Sequence, residues 1–232
     1  MLAFRTSTSL PSVKKEFTDD WSLQFDGVDD TVVLQDAFNQ TIHSISFWVK
    51  VGNGSGNRAI FDGRDANNDG ILIFAVTNDK INYKISDQAN LSQTTADTTN
   101  WQHIVCTYDG ETQSIYVNGE LDASQTVTTV LDVSNPATIG SKSFGSGAYW
   151  LGNIDDLALF DVALNQDQVT VIWNSGEPAQ LNCNHEAYTR AASLKGYYMF
   201  ENEGGDTAII NDYSPLNNYG TRSGAVFRDD TP

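Results

Sequence analysis

Apolar and polar residues alternate along much of this chain with a period of two, the pattern of strands that bury one face. The alternation is clearest at Ile45, Phe47 and Val49 and again at Ile81, Tyr83 and Ile85. Strand signals recur over 22–25, 31–35, 44–50, 58–61, 71–77 and 80–86, and Asn78-Asp79 marks a tight turn before the last of them. The strongest pattern lies between Trp101 and Leu121. There the β-branched and aromatic runs 101–108 and 113–117 flank Asp109-Gly110. Asn118-Gly119 then offers the two left-handed positions of a type I′ turn, so 120–122 folds back as a third antiparallel strand. Trp101 and Val105 should share one face of this meander, and Ile104 and Cys106 the other. Residues 87–100 read as a polar loop, and strand is expected at 137–140 and 151–160.

After residue 160 the period changes. Val169, Ile172 and Trp173 are spaced for one helical face behind an Asn165 N-cap, and Gly176 and Pro178 end that helix. A second short helix is expected over 186–192, followed by strand over 194–200. Residues 1–20 are polar, rich in Ser and Thr and interrupted by Pro11, and read as an arm ahead of a domain spanning 21–232.

Charge and composition narrow the chemistry. Thirteen basic against thirty acidic residues give a net charge of −17, which repels phosphate backbones, argues against nonspecific nucleic-acid binding and favours divalent cations. Two cysteines, Cys106 and Cys183, are too few for a disulfide framework, and Cys106 reads as a small buried apolar residue. No stretch approaches a membrane span, and residues 1–15 hold no apolar run of signal-peptide length, so the expectation is a chain that stays in the cytoplasm where it is made. His43, His103 and His185 lack zinc spacing, and neither a nucleophile elbow nor a phosphate-binding glycine loop is present in the sequence. A glycosidase needs two carboxyl groups flanking one bond, whereas Asp155 and Asp156 are adjacent on one expected strand and should point to opposite faces. These features point to binding without catalysis.

Two local patterns suggest ligands. In the loop 62–70, Asp65, Asn67, Asp69 and Gly70 match the first half of an EF-hand calcium loop, but the twelfth position is Val76 and the closing glutamate is missing. The loop also reads as a plain polar connection. Phe144 and Tyr149 are loop aromatics of the kind that stack on sugar rings, while Trp150 reads as core.

Several motifs carry a family resemblance. Trp101, His103, Tyr108-Asp109-Gly110 and Tyr116-Val117-Asn118-Gly119 resemble the laminin G-like (LamG) and pentraxin-related jelly rolls of the concanavalin A-like superfamily. The segments 22–30, 45–50 and 152–160 agree in the family's order. The resemblance implies an all-β antiparallel jelly-roll sandwich of LamG type with one or two short helices and a structural His103. The pieces 196–201, 212–214 and 217–220 resemble the segment that opens such a unit, yet here they close the chain. That order implies a circular permutation in which 194–232 completes the sandwich.

By the same resemblance a structural calcium is expected at Asp155 and Asp212, with Asp26 near by, although these aspartates would otherwise cap turns. The chain further resembles non-enzymatic virion proteins of tailed phages, which decorate the head or build the tail. Its expected partners are then other virion proteins and like copies in a homo-oligomer, with a cell-surface glycan as a further ligand. The arm would attach through Leu2, Phe4, Leu10, Val13 and Phe17. The alternative is an exported, extracellular carbohydrate-binding or adhesion module of a bacterium.

Overall fold

The computed structural model describes residues 17–129, 131, 135–142, 147–185, 187–202, 205 and 207–232. The strands, numbered β1 to β16 in chain order, form two antiparallel sheets that pack as a sandwich. The first sheet runs β10 (Glu120–Thr126), β9 (Thr112–Val117), β8 (Gln102–Tyr108), β3 (His43–Val51), β12 (Leu151–Phe160), β1 (Ser22–Asp26) and β16 (Val226–Arg228), with β13 (Leu194–Tyr198) also paired to β12. The second runs β14 (Ile209–Ile210), β15 (Gly220–Ser223), β2 (Thr31–Leu34), β11 (Thr138–Ile139), β4 (Arg58–Arg64), β5 (Gly70–Ala75), β6 (Lys80–Ile85) and β7 (Gln88–Thr95).

The meander forms as its turn residues dictate. Asn118 and Gly119 take φ of 49° and 83°, so Glu120 pairs with Val117 and β10 returns along β9. Ile104 and Cys106 face the main core between the sheets, and Val105 faces the other side. The main core gathers Leu23, Phe25, Phe47, Phe61, Tyr83 and Trp150, each at most 1% exposed. Burial of each such side chain stabilises the fold by roughly 1.5 to 3 kcal/mol.

One-faced burial holds in β6, where Ile81, Tyr83 and Ile85 are buried and the residues between them are not. It fails in β3, β8 and β12, which are buried at nearly every position. The outer face of the first sheet carries a second core. Val105, Tyr116, Ala158 and Phe160 there pack against Val169 and Ile172 of α1 (Gln166–Trp173), and against Leu181, Tyr188 and Tyr197. Asn165 caps α1 in a reciprocal box with Gln168.

Two expected elements are corrected. Residues 87–100 contain β7, an edge strand whose ladder needs only backbone pairing to β6, so its polar side chains hid it. Asp122 accepts from the backbone N–H groups of Gln93 and Thr94 and ties that edge to β10. Residues 186–192 form no helix among the described positions. The chain there closes a tight bridge between His185 and Tyr188 and a 3-10 turn at Ala191–Ser193, because the Tyr188 hydroxyl is drawn into the second core, donating to the Leu181 carbonyl at 2.9 Å.

The end of the chain contributes to both sheets. β13 continues along the edge of β12 that β1 occupies nearer its start: Leu23 opposes Ile154 and Tyr198 opposes Leu157. β15 extends the second sheet beside β2. Asp230 receives the Trp101 indole N–H at 3.2 Å and an ion pair from Lys50, which latches the tail to the first sheet.

Candidate functional site

A group of carboxylates lies where the edge of β12 meets the residues before β1 and those after β13. Its centre is a break in β12. The strand's register with β3 shifts between Asp155 and Ala158, and Asp156 adopts φ of 44°. The bulge places Ile154 and Leu157, three positions apart, on the same inner face. With those two turned inward, Asp155 and Asp156 are both left on the outer side, Asp155 opposite Trp48 and Asp156 bonded to Tyr197 of the second core, which corrects the expectation that they point apart; Asp19 and Glu201 act on both carboxyls. Glu201 follows Phe200, a buried residue at φ of 53°. Left-handed backbone at two non-glycine residues costs about 1 to 3 kcal/mol each and is characteristic of functional sites.

The electrostatics are one-signed. Asp155 and Asp156 are 0% and 3% exposed. Burial first, and then neighbouring carboxylates, push both well above the usual carboxylate range. Asp19 is raised from 3.8 to about 7 by burial, then by Glu201. None of the charged neighbours acting on these three is basic. Asp155 Oδ1 accepts from the Asp156 N–H at 2.9 Å and Asp156 Oδ1 from the Tyr197 hydroxyl at 2.8 Å, while the Asp20 N–H donates to Glu201 at 3.0 Å. The second oxygens of Asp155 and Asp156, and Oδ1 of Asp19, are buried with no donor among the described residues. Asp19 and Asp155 stand within hydrogen-bonding reach, a contact that is favourable only with a proton or a cation between them. An all-oxygen donor set of this kind suits a hard divalent cation such as calcium.

The expected metal ligands are dispersed. Asp155 belongs to this centre. Asp212 spends its carboxylate on the N–H groups of Tyr197, Ser214 and Asn218 and on the Ser214 hydroxyl, at 2.6 to 2.8 Å. Asp65 accepts from the N–H groups of Asn67 and Asp69 and folds the β4–β5 turn, with Asn67 and Asp69 exposed around it. Asp26 lies with Asp29 and Asp30, whose oxygens come within 4.8 Å of one another, a tighter spacing than any three oxygens of the buried centre reach. Burial decides between the two. Asp26 and Asp29 are solvated, Asp26 accepts the Val28 N–H at 2.8 Å and Asp30 the Asp26 N–H at 2.7 Å, whereas the buried centre holds carboxylate oxygens with no donor among the described residues.

The remaining candidates are spread over the surface. Tyr149 is partly exposed and lines a cleft of about 260 Å³ with Asp26, Asn57 and Arg58. Trp150 is buried, with the Arg58 guanidinium over its ring at 5.8 Å. Phe144 lies outside the described residues, as do Leu2, Phe4, Leu10 and Val13. Phe17 is described and partly buried against the sandwich. His103 is buried and neutral, stacked on Trp48 with centroids 4.9 Å apart and bonded to the Ser46 hydroxyl at 2.7 Å. Sequence reasoning missed Asp19 and Glu201, which have no local motif, and set aside Asp156 through the strand alternation that the bulge breaks.

Comparison with known proteins agrees with this architecture. The family model described as the concanavalin A-like lectin/glucanases superfamily matches residues 26–170, more than half of the chain. A search of curated proteins finds no match in sequence. Among solved structures the chain is similar to a protein from Bacteroides ovatus assigned to carbohydrate binding, at TM-score 0.69 and 16% identity over 90% of this chain and 59% of that one. The chain thus spans somewhat over half the length of that protein. It is also similar to the heptameric SAP-like pentraxin of Limulus polyphemus, at TM-score 0.58 and 15% identity over 90% and 94% of the two chains. Domains LG4-5 of the mouse laminin alpha1 chain follow at TM-score 0.51 and 15% identity, over 60% and 40%. At these identities the likeness is one of fold.

Proposed function

Because this chain belongs to the concanavalin A-like lectin/glucanases superfamily, we propose that it is a non-catalytic recognition module for carbohydrate, braced by a divalent cation. The observation that carries this reading is the buried carboxylate centre, whose orphaned oxygens on Asp19, Asp155 and Asp156 have no basic partner among the described residues. Calcium matches that donor set in its chemistry, and Asp19, Asp155, Asp156 and Glu201 are the residues that would hold it by closing on it, since no three of their oxygens now lie within 4.8 Å of one another. When bound, the cation neutralises the charge and ties the residues before β1 to β12 and to the residues after β13. Tyr197 fixes the orientation of Asp156, and the Asp156 N–H fixes that of Asp155. Burial of Asp155 and Asp156 argues against their serving as an acid and base pair that flanks a substrate bond.

The setting we propose is the virion of a tailed phage, in the head decoration or the tail, among other virion proteins and copies of itself. The sequence likeness of the polar Ser/Thr-rich arm and of the closing segment supports it, as does the acidic composition. An exported bacterial module is the competing setting; no described helix is long and apolar enough to cross a membrane, which bears on neither. Equilibrium dialysis against calcium followed by metal analysis tests the centre: the wild type should retain about one ion per chain and Asp155→Asn should lose it. A wild type that retains none, and that binds no oligosaccharide on a glycan array, would overturn the reading.

A further inference from the structure

We propose that the cleft beside the carboxylate centre receives a neutral oligosaccharide; the assignment rests on the recognition reading above and gives it a place. The cleft, of about 420 Å³, opens between the residues leading into β1, the turn at 180–182 and the chain after β13. Its size falls within the range of ordinary ligand sites, about 300 to 1,000 Å³. Trp21, Phe17 and Tyr213 supply aromatic surface to it, and all three keep partial exposure. Gln180, Asn182 and Asn202 supply amides. That is the mixture a pyranose ring requires, since its C–H face packs on an aromatic ring while its hydroxyls exchange hydrogen bonds with planar polar groups around the edge.

Two features narrow the ligand. The described lining includes Asp20 and Glu201 and contains no Lys, Arg or His. With a net charge of −17 behind it, such a wall repels sialic acids, uronic acids and sulfated sugars and accepts hydroxyl protons instead. Asn202 Oδ1 is buried and has no donor among the described residues. A small turn of that side chain toward the cleft would let a sugar hydroxyl donate to it and remove the cost of an unpaired buried acceptor. The cleft around Tyr149 is smaller, offers a single aromatic ring and contains Arg58, already committed to Asp79 and to the Gly52 carbonyl.

The centre and the cleft share a wall. Glu201 belongs to both, and the Asp20 N–H that bonds it sits next to Asp19. The site is therefore assembled from the chain's two ends at the point where the cation would hold them together.

Isothermal titration of the full chain in calcium, against neutral gluco-, galacto- and manno-oligosaccharides and against sialylated and sulfated ones, tests the assignment. The wild type should bind a neutral sugar in preference to acidic ones. Trp21→Ala should weaken that binding roughly tenfold or more, as loss of an aromatic contact does. Asn182→Ala, at an exposed position where folding is not at stake, should weaken it measurably, and Tyr149→Ala should leave it unchanged. Neutral-sugar binding that survives both cleft variants, or that only Tyr149→Ala removes, overturns the cleft and leaves the recognition reading standing. A preference for acidic glycans overturns the ligand class. A wild type that binds no glycan overturns cleft and reading together.

Discussion

Removal of divalent cations should make the stability of this protein fall as pH rises above 6.5. Asp19, Asp155 and Asp156 have folded-state pKa values above the unfolded value of 3.8, Asp19 reaching about 7 and the other two pushed well up by burial. A raised carboxyl pKa means that the folded protein holds protons the unfolded chain has released, so stability is present at low pH and is lost as pH climbs through the folded pKa. Each such proton contributes about 1.4 kcal/mol per pH unit. Between pH 6.5 and 8, a group that titrates at about 7 gives up most of its proton, which costs on the order of 1 kcal/mol, or roughly 2–4 °C in Tm for a domain of this size. Asp19 keeps some solvent contact, which reduces its share.

The window matters because two histidines act in the opposite sense below it. His43 and His103 are lowered from 6.5 to about 4 and about 3 by burial, so they stay neutral in the fold while the unfolded chain takes up their protons. Stability from that source is lost as pH falls through 6.5, and about 0.4 kcal/mol per histidine is still regained between pH 6.5 and 8. The carboxylates are therefore read as the difference between the wild type and Asp155→Asn, in which both histidines are unchanged, by thermal melting in chelator at pH 6.5, 7.25 and 8, repeated in calcium. Calcium should raise the wild-type Tm at every pH and most at pH 8, and Asp155→Asn should lose the downward component of the chelator series and the calcium increment. Asparagine keeps the acceptor for the Asp156 N–H, so the variant should still fold. Identical chelator series for the two proteins, with no calcium increment in either, would refute the centre.

Two further outcomes check the fold. Gly119→Ala should destabilise by about 1–3 kcal/mol, because its φ of 83° disfavours a side chain and an added Cβ would sit 2.7 Å from the Trp173 ring of α1; an unchanged denaturant midpoint would contradict the packing of helix on meander. A chain ending at residue 193 loses β13, β15 and β16, exposes the edges of β12, β2 and β1, and should aggregate; a soluble fragment with native near-ultraviolet dichroism would show that the closing segment is dispensable.

How much of this could be read from residues depends on the range over which each feature is determined. The β9–β10 turn is written in two neighbouring residues, Asn118 and Gly119, whose left-handed preference fixes it. The alternation of Ile81, Tyr83 and Ile85 likewise gives β6, because the second sheet is covered on one face there. In β3 the same rule captured Ile45, Phe47 and Val49 but not the burial of Ser44, Ser46 and Trp48 between them. That second burial comes from segments distant in sequence, as when the Ser44 hydroxyl donates to the Val162 carbonyl and His103 bonds Ser46 and covers Trp48. Two of the expected metal ligands show the converse. Asp65 and Asp212 look like ligands because they sit among small polar residues, yet that neighbourhood is what lets backbone N–H groups consume their oxygens. Asp19, Asp156 and Glu201 have no such neighbours, and only the bulge in β12 and the run of β13 along its edge bring them together. Like charges gathered by topology at a cost in backbone strain have to be stabilised by something outside the local sequence. In the buried centre a proton or a cation can supply it, none of the described residues acting there being basic, and the pH series in chelator and calcium distinguishes the two.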